Sequence, residues 1–166
     1  MCIGIFKNKW KSFLPTAEYL SVVSGLTSVS KLHNFIKQFQ WTGEKGDIWQ
    51  TPEEFLKNEH LDCEDFMRFT CDVLVRIMGI EARGVIHSGY DFKRWGKWIW
   101  DLKCHAICTF PWQGKFAMFS NNQLYTGLSS VEDAGKITFP DGLKIQVVRD
   151  WQGKVLSRKV KLIGTF

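Results

Sequence analysis

The fold of this chain is decided by residues 61–79, Leu-Asp-Cys-Glu-Asp-Phe-Met-Arg-Phe-Thr-Cys-Asp-Val-Leu-Val-Arg-Ile-Met-Gly. Apolar side chains recur there at steps of three and four residues, which predicts an amphipathic helix. Asp62 can cap this helix, Cys63 falls in its first turn and Gly79 ends it. We therefore expect a thiol at the N-terminus of a buried helix.

The rest of the chain divides into helices before this segment and strands after it. Helices are predicted at 17–26, 28–41 and 51–58, the last from the capping signature Thr51-Pro52-Glu53-Glu54. Strands are predicted where apolar and polar residues alternate, at 82–87, 98–102, 105–110, 115–120, 137–139, 143–149 and 155–162. This order predicts an α+β fold in which N-terminal helices pack on an antiparallel sheet.

Length and charge set limits on the class of protein. The 166 residues fit one domain spanning 1–166, and 45% of them are hydrophobic. The net charge is +5, but the basic residues are scattered, so nucleic-acid binding is not indicated. We find neither an apolar run of about 20 residues nor a secretory signal, and so expect a cytoplasmic protein without a membrane segment.

Five cysteines are an odd number without the rhythm of a disulfide framework, so we expect a reducing compartment and at least one free thiol. The segment Cys104-His105-Ala106-Ile107-Cys108 raises the question of zinc. On a strand, Cys104 and Cys108 share a face that His105 does not, and a second Cys-x-x-Cys pair is missing. We expect neither a metal nor a cofactor.

Cys63 is the candidate nucleophile. A helix N-terminus stabilises a thiolate and lowers its pKa. Asp62, Glu64 and Asp65 act in the opposite direction, because nearby carboxylates disfavour a second anion. Glu64 and Asp65 are interpreted as first-turn carboxylates that favour the helix dipole. The thiol therefore needs a histidine partner.

His105 is the best placed base, because it opens an apolar strand downstream of the cysteine helix. His87 is the reserve candidate, whereas His33 and His60 are expected to be solvated. A third group should orient the ring, and the run Ser120-Asn121-Asn122 follows the next strand. We favour Asn121 for this role and keep Ser120 and Asn122 as alternatives.

Several of these segments together resemble one family. Trp49-Gln50-Thr51-Pro52-Glu53-Glu54, then Leu61-Asp62-Cys63-Glu64-Asp65-Phe66, then His105-Ala106 are similar to the transglutaminase-like cysteine peptidase superfamily, in particular its bacterial branch. The resemblance implies a papain-like core with Cys63 as nucleophile and His105 as base. It divides the chain into an N-terminal helical part (1–47), a catalytic core (48–122) and C-terminal strands (123–166). Leu61 and the run Ser120-Asn121-Asn122 stand where the family has Gly and Asp.

The function expected from these residues is a cysteine-dependent hydrolase that acts on a protein or peptide through a thioester intermediate. Trp49 and Gln50 are both candidates for a donor to the oxyanion or for the cleft, with packing against the helix favoured for Trp49. Two alternatives stay open. The same site could serve a protein-glutamine acyl-transferase or deamidase, and the fold could instead be a non-catalytic binding module.

Overall fold

A computed structural model describes residues 13–42, 49–89, 103–139 and 143–160. In these ranges the helices are α1 (Ala17–Val23), α2 (Val29–Ile36), α3 (Pro52–Lys57), α4 (Cys63–Arg76) and α5 (Val131–Thr138). The strands are β1 (Arg83–Gly89), β2 (Lys103–Trp112), β3 (Lys115–Ser120), β4 (Gln123–Leu128), β5 (Leu143–Asp150) and β6 (Val155–Val160). The predicted α+β class is confirmed.

The six strands form one antiparallel sheet in the order β4-β3-β2-β1-β5-β6. The β1–β2 register is regular and places His87 directly opposite His105. β3 pairs with β2 only from Cys108 to Trp112, so the first half of β2 lacks that neighbour. This half of β2 is where α4 begins.

Helices α1 to α4 each begin with a side-chain cap, and the caps of α3 and α4 are the predicted ones. Thr16, Ser28 and Thr51 accept hydrogen bonds from the backbone of the first turn of α1, α2 and α3. Asp62 caps α4, as predicted. Such caps satisfy backbone N–H groups that have no partner within the helix, and they explain why these helix starts are readable from sequence.

The sheet separates two apolar layers. The residues of one layer lie between the sheet and helices α1 to α4, among them Phe66 and Phe69 of α4 and Ala106 and Cys108 of β2. The other layer lies under α5 and contains Val85, Ile107, Met118, Val148 and Ala134. Because side chains alternate along a strand, His105 shares its face with Ile107, and Ala106 faces α4.

A buried polar contact joins α1 to α4 within the first layer. The hydroxyl of Tyr19 donates to Asp72 Oδ2 at 2.7 Å, and Arg76 binds the same carboxylate at 2.7 Å. Burial raises the pKa of Tyr19 far above its usual range, and the Asp72 charge adds to the effect. The phenol therefore stays protonated and serves as a hydrogen-bond donor.

Several predicted elements differ in the structure. The expected strand 137–139 is wrong, because 137 and 138 are the end of α5, which starts at the Ser130 cap and carries Glu132 and Asp133 in its first turn. The helix expected to reach Trp41 ends at Ile36. The strand β4 was not expected; it returns from β3 through a turn at Asn121 and Asn122. The expected strand 98–102 lies outside the described residues.

Among the described residues, no helix combines the length and the apolar character needed to cross a membrane.

Candidate active site

Cys63 is the first residue of α4, and its position is fixed by carboxylates on both sides. Asp62 Oδ1 accepts from the backbone N–H groups of Glu64 at 3.0 Å and of Asp65 at 3.3 Å. In turn, the backbone N–H of Asp62 donates to Asp65 Oδ2 at 3.1 Å. Its Oδ1 accepts from Gln50 N at 3.0 Å. This reciprocal cap holds the thiol in one place relative to the segment before α3.

Within the described part of the chain, two groups contact the sulfur of Cys63. Its S–H donates to Glu64 Oε2 at 3.0 Å, and the backbone N–H of Ala106 points at it from β2. Burial raises the pKa of the Cys63 thiol well above its usual range, and the Glu64 carboxylate raises it further, whereas the Ala106 N–H lowers it. The resting side chain is therefore a neutral thiol, and the helix N-terminus does not by itself produce a thiolate.

Glu64 was expected to act as a first-turn carboxylate, and the structure adds a direct bond to the nucleophile. Burial raises the pKa of Glu64 to about 8, and the charge of Asp62 adds to the increase. At pH 7 most molecules therefore carry Glu64 as the neutral acid beside the neutral thiol of Cys63. The position of Glu64 next to Cys63 in the first turn was visible in the sequence, but its orientation toward the sulfur was not.

His105 is held from its far side by Ser120. The ring Nε2 lies 2.8 Å from Ser120 Oγ, so Nδ1 is the nitrogen left for another partner. Burial lowers the pKa of His105 to about 4, and the ring is therefore neutral at pH 7. His105 immediately precedes Ala106, whose N–H faces the thiol. Although both side chains are described, no hydrogen bond joins His105 to Cys63 Sγ.

The structure distinguishes the three candidates for the orienting group. We favoured Asn121, but Ser120 is the residue that contacts the ring of His105. Asn121 instead occupies the turn between β3 and β4 with a φ of 51°, and its buried Oδ1 has no hydrogen-bond partner among the described residues. Asn122 donates to the carbonyl oxygen of Phe39 at 3.3 Å. The difference arises because a shift of one residue along a strand reverses the face of the side chain.

The reserve candidate, His87, is fully buried beside His105 on the adjacent strand. The Nε2 of His87 accepts a hydrogen bond from Gln146 Nε2 at 3.0 Å, and its Nδ1 has no partner in the described ranges. Burial lowers the pKa of His87 to about 4, and the charge of His105 lowers it further. Gln146, a residue that the sequence did not single out, also donates to the Val131 carbonyl at 3.3 Å.

Trp49 and Gln50 lie upstream of α4, as expected. Trp49 is buried in the core, which is the packing role favoured for it. The side-chain nitrogen of Gln50 donates to the His60 carbonyl at 2.9 Å, and its oxygen accepts from Asn58 Nδ2 at 2.7 Å. The amide of Gln50 is thus used to tie the segment before α3 to the loop before α4, and it does not point at Cys63.

No protein-family model matches this chain, and no curated protein matches it. The residues around Cys63 are therefore the basis for a functional conclusion.

Other predicted features have mixed outcomes. His60 is exposed, as expected, but His33 is half-buried against Phe119, and burial lowers its pKa. Cys63, Cys71 and Cys108 are free, and Cys104 is disulfide-bonded. The expected free thiol is confirmed, whereas a disulfide at Cys104 was not expected, because spacing alone does not reveal disulfide pairs. Within the described ranges, no group of three side chains could hold a metal ion.

Proposed function

We propose that this protein is a cysteine-dependent hydrolase of peptide or amide bonds, with a papain-like arrangement of its reactive groups. Cys63 is the nucleophile, His105 the general base and Ser120 the residue that orients the imidazole. The observation that carries the proposal is the position of the Cys63 sulfur. It faces the Ala106 N–H, one residue from an imidazole that Ser120 holds by its far nitrogen.

The tautomer that Ser120 favours suits a general base. When Nε2–H donates to Ser120 Oγ, Nδ1 carries the lone pair that can accept the thiol proton. Because side chains alternate along β2, His105 lies on the face of Ile107, opposite the face that α4 covers, so the proposal requires the imidazole to reorient before it accepts the thiol proton. The low pKa of His105 and the high pKa of Cys63 make the resting pair neutral. Proton transfer therefore accompanies the attack instead of preceding it.

The reaction then follows acyl transfer through a thioester. The sulfur attacks the carbonyl carbon, and His105 receives the thiol proton. The anion that develops on the carbonyl oxygen is assigned to the backbone N–H of Cys63, at the first position of α4. Imidazolium protonates the leaving amine as the C–N bond breaks. Water, activated by neutral His105, hydrolyses the thioester and releases the acid.

A second candidate is a binding module that retains the fold without catalysis. It is favoured by the bond from the thiol to Glu64 and by the missing hydrogen bond between the thiol and His105. In that case Cys63 should react no faster than the buried Cys71, and turnover should be absent. The two candidates therefore make opposite predictions for one residue.

The test combines thiol labelling with activity profiling on the full chain. Iodoacetamide labelling at neutral pH, followed by peptide mapping, should modify Cys63 faster than Cys71 and Cys108, which are both buried. Profiling with peptide and amine-donor libraries should give a turnover that Cys63→Ala abolishes. Released acid indicates hydrolysis, and amine incorporation indicates an acyl-transferase.

A comparison of two histidine variants distinguishes a catalytic role of His105 from the general effect of replacing a histidine. His105→Ala should lower kcat/KM by about 10³ or more, because the general base is lost. His60→Ala removes a histidine from an exposed position and should leave kcat/KM unchanged. Equal kcat/KM values for the two variants would show that His105 is not the general base.

A further inference from the structure

The proposed reaction leaves two buried thiols unused. Cys71 lies in the middle of α4 and Cys108 on the α4-facing side of β2, and both have no exposed surface. Their sulfur atoms are 3.1 Å apart. We propose that Cys71 and Cys108 form a disulfide under oxidising conditions, and that this bond ties the helix of Cys63 to the strand of His105.

The distance between the sulfurs favours such a bond. A disulfide requires a sulfur separation of about 2.05 Å, so the two atoms must approach by roughly 1 Å. The thiols are brought together by the packing of α4 on β2, which is the main helix–sheet contact of the structure. Residues far apart in sequence are therefore already placed side by side, and most of the entropy of closing the loop has been overcome by folding.

Burial determines when the bond can form. It raises the pKa of Cys71 well above its usual range, so the thiolate that attacks an oxidant is scarce in the folded protein. Oxidation is therefore expected while the chain folds, or when α4 separates transiently from β2. Once formed, the bond is shielded from reductants by the same burial.

The chemistry balances with a low-molecular-weight disulfide as oxidant. One protein thiolate attacks oxidised glutathione, which forms a mixed disulfide and releases one glutathione thiolate. The second protein thiolate attacks the protein sulfur of the mixed disulfide and releases the second glutathione. The two cysteines lose two electrons and two protons, and oxidised glutathione gains them as two thiols.

A separate observation shows that the chain can hold a disulfide. Cys104, on the same strand as Cys108, is disulfide-bonded. Disulfides persist in oxidising compartments, and there the close pair of Cys71 and Cys108 would meet the same conditions. The strand β2 would then carry two disulfides, at positions four residues apart.

The experiment refolds the reduced full chain in buffers of defined ratios of oxidised to reduced glutathione. Non-reducing peptide mapping should show a peptide that links Cys71 to Cys108, with the loss of two hydrogens. To exclude the disulfide of Cys104, the melting temperature is measured for Cys104→Ser with and without reductant. The oxidised form should melt on the order of 10 °C higher, because the bond closes a loop across a sequence separation of 37.

Two controls make the result decisive. Cys71→Ala and Cys108→Ala should each remove the linked peptide, whereas Cys63→Ala should retain it. The proposal is overturned if both thiols remain alkylatable after refolding at every glutathione ratio. It is also overturned if the linked form melts no higher than the reduced form, since the bond would then not hold α4 on β2.

Discussion

Replacing Glu64 with glutamine should make Cys63 more reactive, because the variant removes the carboxylate that receives the thiol hydrogen bond. The Glu64 oxygen lies 3.0 Å from the sulfur. At an effective dielectric constant of about 20, a full charge at that distance disfavours the thiolate by about 5 kcal/mol. Glu64→Gln keeps the size of the side chain and can still contact the sulfur.

Only part of that energy should be recovered in an experiment. The pKa of Glu64 is raised to about 8, so near this pH only about half of the molecules carry the charge. Water also screens the partly exposed side chains. We expect alkylation of Cys63 at pH 8 to be about ten-fold to a hundred-fold faster in Glu64→Gln, which corresponds to about 1.4 to 2.8 kcal/mol.

The assay is the rate of iodoacetamide labelling of the Cys63 peptide from pH 6 to pH 10. Glu81→Gln is the matched control, since it removes the same charge from an exposed residue that pairs with Arg83. Its rates should equal those of the unsubstituted chain. Identical rate profiles for Glu64→Gln and the unsubstituted chain would refute the assignment of Glu64 as the group that restrains the thiol.

Three further predictions concern stability and are measured by urea unfolding. Between pH 7 and pH 5 the free energy of unfolding of the unsubstituted chain should fall by about 2 kcal/mol more than that of His87→Gln. The reason is that the unfolded chain protonates His87 near pH 6.5, whereas burial keeps the pKa of His87 in the folded protein at about 4. The raised pKa of Glu64 stabilises both folded proteins as the pH falls, so its contribution cancels when the two are compared. Equal changes of the free energy of unfolding with pH in the two proteins would contradict the prediction. Tyr19→Phe should cost about 1 kcal/mol through the lost bond to Asp72, whereas Tyr125→Phe, at an exposed position, should change stability by less than about 0.5 kcal/mol. Asp65→Ala should cost about 2 to 3 kcal/mol, because two backbone N–H groups lose their acceptor, and a loss below about 0.5 kcal/mol would show that this cap is dispensable.

The helix of Cys63 was predictable because its information is local. Asp62 caps it, and Cys63 begins it, through contacts between residues at most three apart. The α5 region was not predictable from alternation, because Ile137 and Thr138 also suit a strand. The Ser130 cap and the acidic first turn that favour the helix lie several residues upstream.

The contacts of the site were less predictable than its residues. Cys63 and His105 stand out from their sequence context, but the choice of Ser120 over Asn121 depends on where β3 ends and the turn begins. The bond between Glu64 and the sulfur depends on a side-chain rotamer that is set by burial. Gln146 contacts His87 only because β5 pairs with β1, which is a long-range feature of the sheet.

The two oxygens of Asp65 have a consequence for reading mutational data. One oxygen fixes Gln50 and the other fixes Asp62, so this carboxylate sets where the thiol lies without contacting it. In a saturation mutagenesis screen scored only by Cys63 reactivity, Asp65 would be as intolerant as the nucleophile and would be mistaken for a catalytic acid. Scoring the same library for protein abundance should separate the two positions, since substitutions of Asp65 lower abundance and Cys63→Ala does not.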